Sequence, residues 1–162
     1  MKKIFLILAT IVLALTGGVM QVLAQSAPKN NGTTESTTVN KKAAQDAVLA
    51  FIKAGDEANI AALEKLIHEN FSALAHPPGT TIVKPVIESR AHYLTLIQEG
   101  KIGGKLRTVS LQSVDVWNNT AIVRLEMEST ELHFSSTFSL FYAPETGWQL
   151  VHDLVELQAK RN

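Results

Sequence analysis

The last third of the chain, Lys105 to Leu157, constrains everything before it, because it reads as four consecutive antiparallel strands. Leu106 to Trp117, Thr120 to Ser129, Glu131 to Tyr142 and Trp148 to Leu157 are each dense in residues that fit a pleated, half-buried surface. Turn chemistry separates them: Asn118-Asn119 after the first strand, and Ala143-Pro144-Glu145-Thr146-Gly147 before the last. A meander this long must bury one face, and only the helical sequence upstream can cover it. The fold class is therefore α+β.

Alternation assigns the faces. Ala121, Val123, Leu125 and Met127 alternate with Ile122, Arg124, Glu126 and Glu128, and Leu132, Phe134, Phe138, Leu140 and Tyr142 alternate with His133, Ser135, Thr137, Ser139 and Phe141. The first strand changes phase: Val109 and Leu111 share one parity, Val114 and Val116 the other. A bulge near Gln112-Ser113 accounts for this, and bulges bend sheets around cavities. In the last strand, unbroken parity puts His152 with Trp148, Leu150 and Leu154 and turns Asp153 away from them.

Upstream, residues 1–24 read as a signal peptide. Met1-Lys2-Lys3 is the positive start, Ile4 to Leu15 the apolar stretch, and Val22-Leu23-Ala24 a cleavage signal; an uncleaved anchor is the alternative. Residues 25–40 are polar and read as a flexible leader, which leaves 41–162 as one domain with one core. The chain has no cysteine, which excludes disulfides and a lipid-modified cysteine. Lys and Arg number 15 against 15 Asp and Glu, and no cluster forms the basic face that nucleic acid or an anionic membrane requires.

A first helix is expected over Lys41 to Ala54, with Ala44, Val48, Phe51 and Ile52 on its buried stripe and Gly55 as a left-handed stop. A second follows to about His68, capped by Asp56 or Asn59, with Ile60, Leu63, Leu66 and Ile67 inward. Phe71 to Ala75 and Thr80 to Val83 read as a short hairpin around His76-Pro77-Pro78-Gly79. A third helix lies within Pro85 to Gly100, capped by Ser89 or beginning at Pro85, with Ile87, Ala91, Leu94 and Ile97 on one face and Tyr93 beside it.

This order, together with Gly55-Asp56, Leu66 to Phe71, Arg90 with Tyr93 and Leu94, Val114-Asp115-Val116, Phe138-Ser139-Leu140 and Gly147-Trp148-Gln149-Leu150-Val151, resembles the nuclear transport factor 2-like superfamily. Within it the chain is most similar to the putative lumazine-binding family of small exported bacterial proteins. The resemblance implies a cone-shaped roll, three N-terminal helices packed in a strongly curved antiparallel sheet, and a pterin-like ligand in the cone. His76, before Pro77, sits where related ketosteroid isomerases carry a proton-abstracting acid. It reads either as a base or as a surface histidine ending a strand. Tyr93 reads as a phenol donor or as core, and Trp148 as core or as a platform for a planar ligand. His152 resembles a histidine near the end of active relatives, although Leu154 replaces the usual later one. Arg90 and Arg124 read as anion holders or as ordinary surface charges.

The ligand-binding candidates are thus His76, Tyr93, Trp148 and His152, with His76 and Tyr93 the catalytic ones. The five histidines are scattered without metal-ligand spacing, and no cofactor motif appears. These features rank an exported small-molecule binder first. A homodimeric interaction module using Ile122, Phe141, Val151 and Val155 on the outer face comes second, and an isomerase or dehydratase third.

Overall fold

The structure, a computed structural model, describes residues 33–76 and 86–160, with side chains from Asn40 onward. The expected signal peptide, most of the expected leader and the Thr80–Val83 strand lie outside the described residues. Element order is α1 (Thr33–Asp56), α2 (Ile60–Leu66), β1 (Ile67–His76), β2 (Val86–Ser89), α3 (Arg90–Gln98), β3 (Thr108–Trp117), β4 (Thr120–Glu128), β5 (Leu132–Ala143) and β6 (Gly147–Ala159). No described helix is long and apolar enough to cross a membrane.

Helix α1 starts before the expected Lys41, since no Gly or Pro interrupts 33–40. Its stripe of Ala44, Val48, Phe51 and Ile52 is buried. Gly55 does not end it. The left-handed residue is Ala58 at φ 51°, and Asn59 then caps α2 by accepting from the Ala62 N–H at 3.1 Å. Gly55 serves close packing instead: its carbonyl accepts from the Gly104 N–H at 3.0 Å, and a Cβ on Gly103 would lie 2.6 Å from that oxygen. Ser89 caps α3, whose inward residues are Leu94 and Ile97. Ile87, expected on that helical face, lies on β2 and is 67% exposed, because the helix starts only after its Ser cap.

The hairpin partner of β1 is Val86–Ser89, and both strands join the meander in one sheet ordered β2-β1-β6-β5-β4-β3. β1 runs parallel to β6, so the sheet is mixed rather than wholly antiparallel, and α3 follows two strands. The register shift between Leu111 and Ser113 makes Gln112 the expected bulge. A second shift follows Ser139, which pairs with His152, whereas Leu140 pairs with Leu150; Val151 is left unpaired. That extra residue inverts β6. Trp148 and Leu150 face the core, and beyond the bulge Asp153, Val155 and Leu157 take the inner face while His152 and Leu154 face out. The expected placement of His152 and Asp153 is therefore reversed, and Val155 is not an outer-face residue.

Candidate functional site

Inside the curl, the inner face of the sheet and α3 enclose a cavity of about 390 Å³. Phe51, Phe134, Phe138 and Met127 supply apolar wall, and Tyr93, Arg107, Ser136 and Asp153 supply polar groups. Each polar residue has a structural reason for its place. Tyr93 projects from α3 and stacks at 5.9 Å on Phe51, with an edge contact to Phe71 at 5.3 Å. Arg107, just before β3, is clamped to the end of α1. Its Nε donates to Asp56 Oδ1 at 2.6 Å, its backbone N–H to Asp56 Oδ2 at 3.1 Å, and Nη2 to the Ile52 carbonyl at 3.3 Å. The guanidinium also lies 5.6 Å from the Phe134 ring centre.

Asp153 is brought inward by the Val151 bulge, opposite Ala73 on one side and Phe138 on the other. Its Oδ1 and the Ser136 Oγ are both buried without a hydrogen-bond partner. Burial pushes the Asp153 carboxyl up to about 7, against opposing pulls from the Arg107 guanidinium and, more weakly, the Ser136 hydroxyl, which faces it without an aligned hydrogen bond. Tyr93 responds to the same surroundings: burial, then the Asp153 charge, raises its phenol, with Arg107 pulling the other way, so that it stays a donor. Glu88 reaches the cavity from β2 in the same register row, beyond Ala73, and pairs with His92. Such a site can hold a flat molecule between apolar walls and fix one polar edge.

Of the four residues expected to bind, the structure places one, Tyr93, on the cavity. His76 is exposed at the end of β1, in register with Glu156, and borders a shallow depression on the outer sheet face. Its neighbour Ala75 points inward, so the expected base misses the cavity by one position of the pleat. Trp148 is core at the opposite end of β6, packed at 5.4 Å on Tyr142. His152 faces outward, with its Nδ1 2.9 Å from the Ser72 hydroxyl. Arg90 donates to the Glu64 carbonyl at 3.0 Å and ties α3 to α2, and Arg124 is on the outer face. Among the described residues no group of three or more His, Cys, Asp or Glu is placed to hold a metal ion.

Constant strand parity misplaces Asp153, and the sequence reading passes over Arg107, Glu88 and Ser136, although Ser136 shares the parity of Phe134 and Phe138. A signal for Asp153 exists nevertheless, because the apolar residues of β6 change parity from Trp148 and Leu150 to Val155 and Leu157, as those of β3 do.

Comparison with known proteins places these features. Residues 39–154 match the model of a family described as "Putative lumazine-binding". Among solved structures, a nuclear transport factor 2-like protein of unknown function from Silicibacter pomeroyi is 18% identical, covering 76% of this chain and 98% of that one, with a TM-score of 0.63. A superfamily protein from Salmonella enterica serovar Typhimurium is 15% identical, covering 78% and 96%, with a TM-score of 0.59. A ketosteroid isomerase-like protein from Erwinia carotovora atroseptica is 14% identical, covering 73% and 95%, with a TM-score of 0.57. At these identities the likeness establishes the fold. A search of curated proteins gives no match.

Proposed function

The chain belongs to the putative lumazine-binding family, has the nuclear transport factor 2-like fold, and we propose that it binds a small planar heterocycle in the cavity behind β6. The observation that carries this reading is the pairing of aromatic walls with a buried, unpartnered Asp153 and Ser136. Apolar walls favour a flat ring, and unsatisfied polar groups require a partner that water-excluding protein does not supply. Export on the signal peptide at residues 1–24 belongs to the same proposal and rests on the sequence pattern. So does a homodimer through the outer sheet face, supported by Phe141 at 42% and Leu154 at 47% exposure.

The test is a calorimetric titration of the secreted form with pteridines and flavins. Binding by one of these classes, lost on filling the cavity with Ala73→Phe, is the expected result. No heat and no thermal shift from any of them at saturating concentration overturns it.

One observation favours a second reading, proton transfer of the isomerase or dehydratase kind. Asp153, raised to about 7, and the protonated Tyr93 line the same cavity, as base and donor would. His76, on the outer face, has no part in it. Turnover of any substrate that survives Asp153→Asn unchanged ends this reading.

A further inference from the structure

The charged side chains around the cavity are matched by neighbours with one exception. Arg107 has Asp56, Lys105 has Glu131 at 3.1 Å, Lys101 has Glu99 at 2.8 Å, and Glu88 has His92. Among the described cavity residues the exception is Asp153, which is 8% exposed, has no ion-pair partner, and whose Oδ1 makes no aligned hydrogen bond although the Ser136 hydroxyl faces the carboxyl. Burying a carboxylate in this way is costly unless something hydrogen-bonds to it. Ala73 stands opposite it on β1 and offers only a methyl, so the space over the strand stays open to a ligand.

We propose that Asp153 selects the ligand by hydrogen-bond pattern, accepting the two parallel N–H donors of a 2-amino-4-oxo ring edge in preference to the mixed edge of a 2,4-dioxo ring such as lumazine. This rests on the reading of the cavity as a heterocycle site. A carboxylate offers acceptors and no donor. Side-by-side amino and ring N–H groups meet it with two parallel bonds, the strong forked arrangement. A dioxo edge presents one N–H flanked by carbonyl oxygens, and those oxygens would face the carboxylate's own lone pairs. Ser136 Oγ, on the neighbouring strand and equally unpartnered, can serve the ring atom beside this edge.

The charged and titratable groups that share the cavity wall with Asp153 and bear on it are Arg107 ahead of β3, Tyr93 on α3 and Glu88 on β2, with Asp56 at the end of α1 behind Arg107. Arg107 and Asp56 neutralise each other, Glu88 is held by His92, and the Tyr93 phenol is protonated, which leaves Asp153 to set the pattern. With its carboxyl raised to about 7, Asp153 changes from acid to carboxylate over the neutral range. The acid form has one donor and one acceptor and suits the dioxo edge, so the amino ligand should gain affinity as pH rises and the dioxo ligand should lose it.

The test titrates the secreted form and its Asp153→Asn variant with pterin and with lumazine by calorimetry at about pH 8, where the carboxylate predominates. Asparagine presents one donor and one acceptor at every pH. The expected result is a preference for pterin of about tenfold or more in the native protein, lost or reversed in the variant. Equal binding of the two ligands by the native protein, or an unchanged preference in the variant, overturns the inference while the binding reading stands. Failure of both ligands to bind the folded native protein overturns the heterocycle reading itself.

Discussion

On the Gly147 side of Val151, the inner face of β6 carries Trp148 and Leu150, 7% and 0% exposed, packed against Tyr142 and Leu140 in a solid core. On the far side, the same face of the same strand carries Asp153, Val155 and Leu157 around a hollow. One unpaired residue separates the two halves. The closed half follows the ordinary rule of cores, apolar groups at close-packed density, except for the Trp148 Nε1, which is buried without a hydrogen-bond partner. The open half breaks it, with a buried carboxyl and a buried hydroxyl left unsatisfied. A buried ionisable group confined to one end of a strand marks where a fold has been turned to another use.

That comparison can be broken first at the closed end. Trp148→Ala should cost about 3–5 kcal/mol in urea unfolding, the range for a large buried aromatic. Cavity ligands should still bind within roughly twofold, because Trp148 is not on the cavity wall. Loss of ligand with little loss of stability would reverse the roles assigned to the two halves. Arg107→Met, which leaves Asp56 charged and 6% exposed without its partner, should cost about 3 kcal/mol. Removing both charges with Asp56→Leu should recover most of that, and failure to recover it would mean that the pair does not act as a unit.

Asp153→Asn should move stability the other way. The native carboxyl is raised to about 7 from an ordinary unfolded value near 4, so the folded form holds the proton longer. Its favourable contribution is complete below about pH 4 and is lost as pH rises through about 7, at no more than about 1.4 kcal/mol per pH unit. The variant should lack this decline and be more stable than the native protein by on the order of 1–3 kcal/mol at about pH 8. Parallel pH–stability curves for the two proteins would remove the buried carboxyl from the account. The smallest effect is expected at Ile87, exposed on β2: Ile87→Thr should change stability by less than about 0.5 kcal/mol. A loss of about 1.5–3 kcal/mol would restore it to the buried helical face that periodicity suggests.

Much of the architecture was legible because it is local. Asn118 turns β3 into β4 at φ 50°, Asn59 and Ser89 cap α2 and α3, and the parity change around Gln112 announces a bulge. Local hydrogen bonding and period-two alternation write these features into neighbouring residues. The parallel pairing of β1 with β6 is different in kind, since it joins Ala73 to Asp153 across the whole domain and leaves no local trace. The site depended on both. His76 was a reasonable base from its place before Pro77, yet β1 as paired turns Ala75 inward instead. Asp153 and His152 exchanged faces because β6 carries a parity change like that of β3, between Leu150 and Val155. Arg107 gave no signal at all: its partner Asp56 is remote in sequence and ends a helix.

The claim beneath the rest is that the Val151 bulge turns Asp153 into a hollow that a ligand enters. A carbon-13 NMR titration of the Asp153 carboxyl, with and without pterin, tests it directly. The account predicts a pKa of about 7 in the free protein, falling when the ligand's N–H groups hold the carboxylate. An ordinary carboxylate value of about 4, unmoved by ligand, would put Asp153 in water and contradict it.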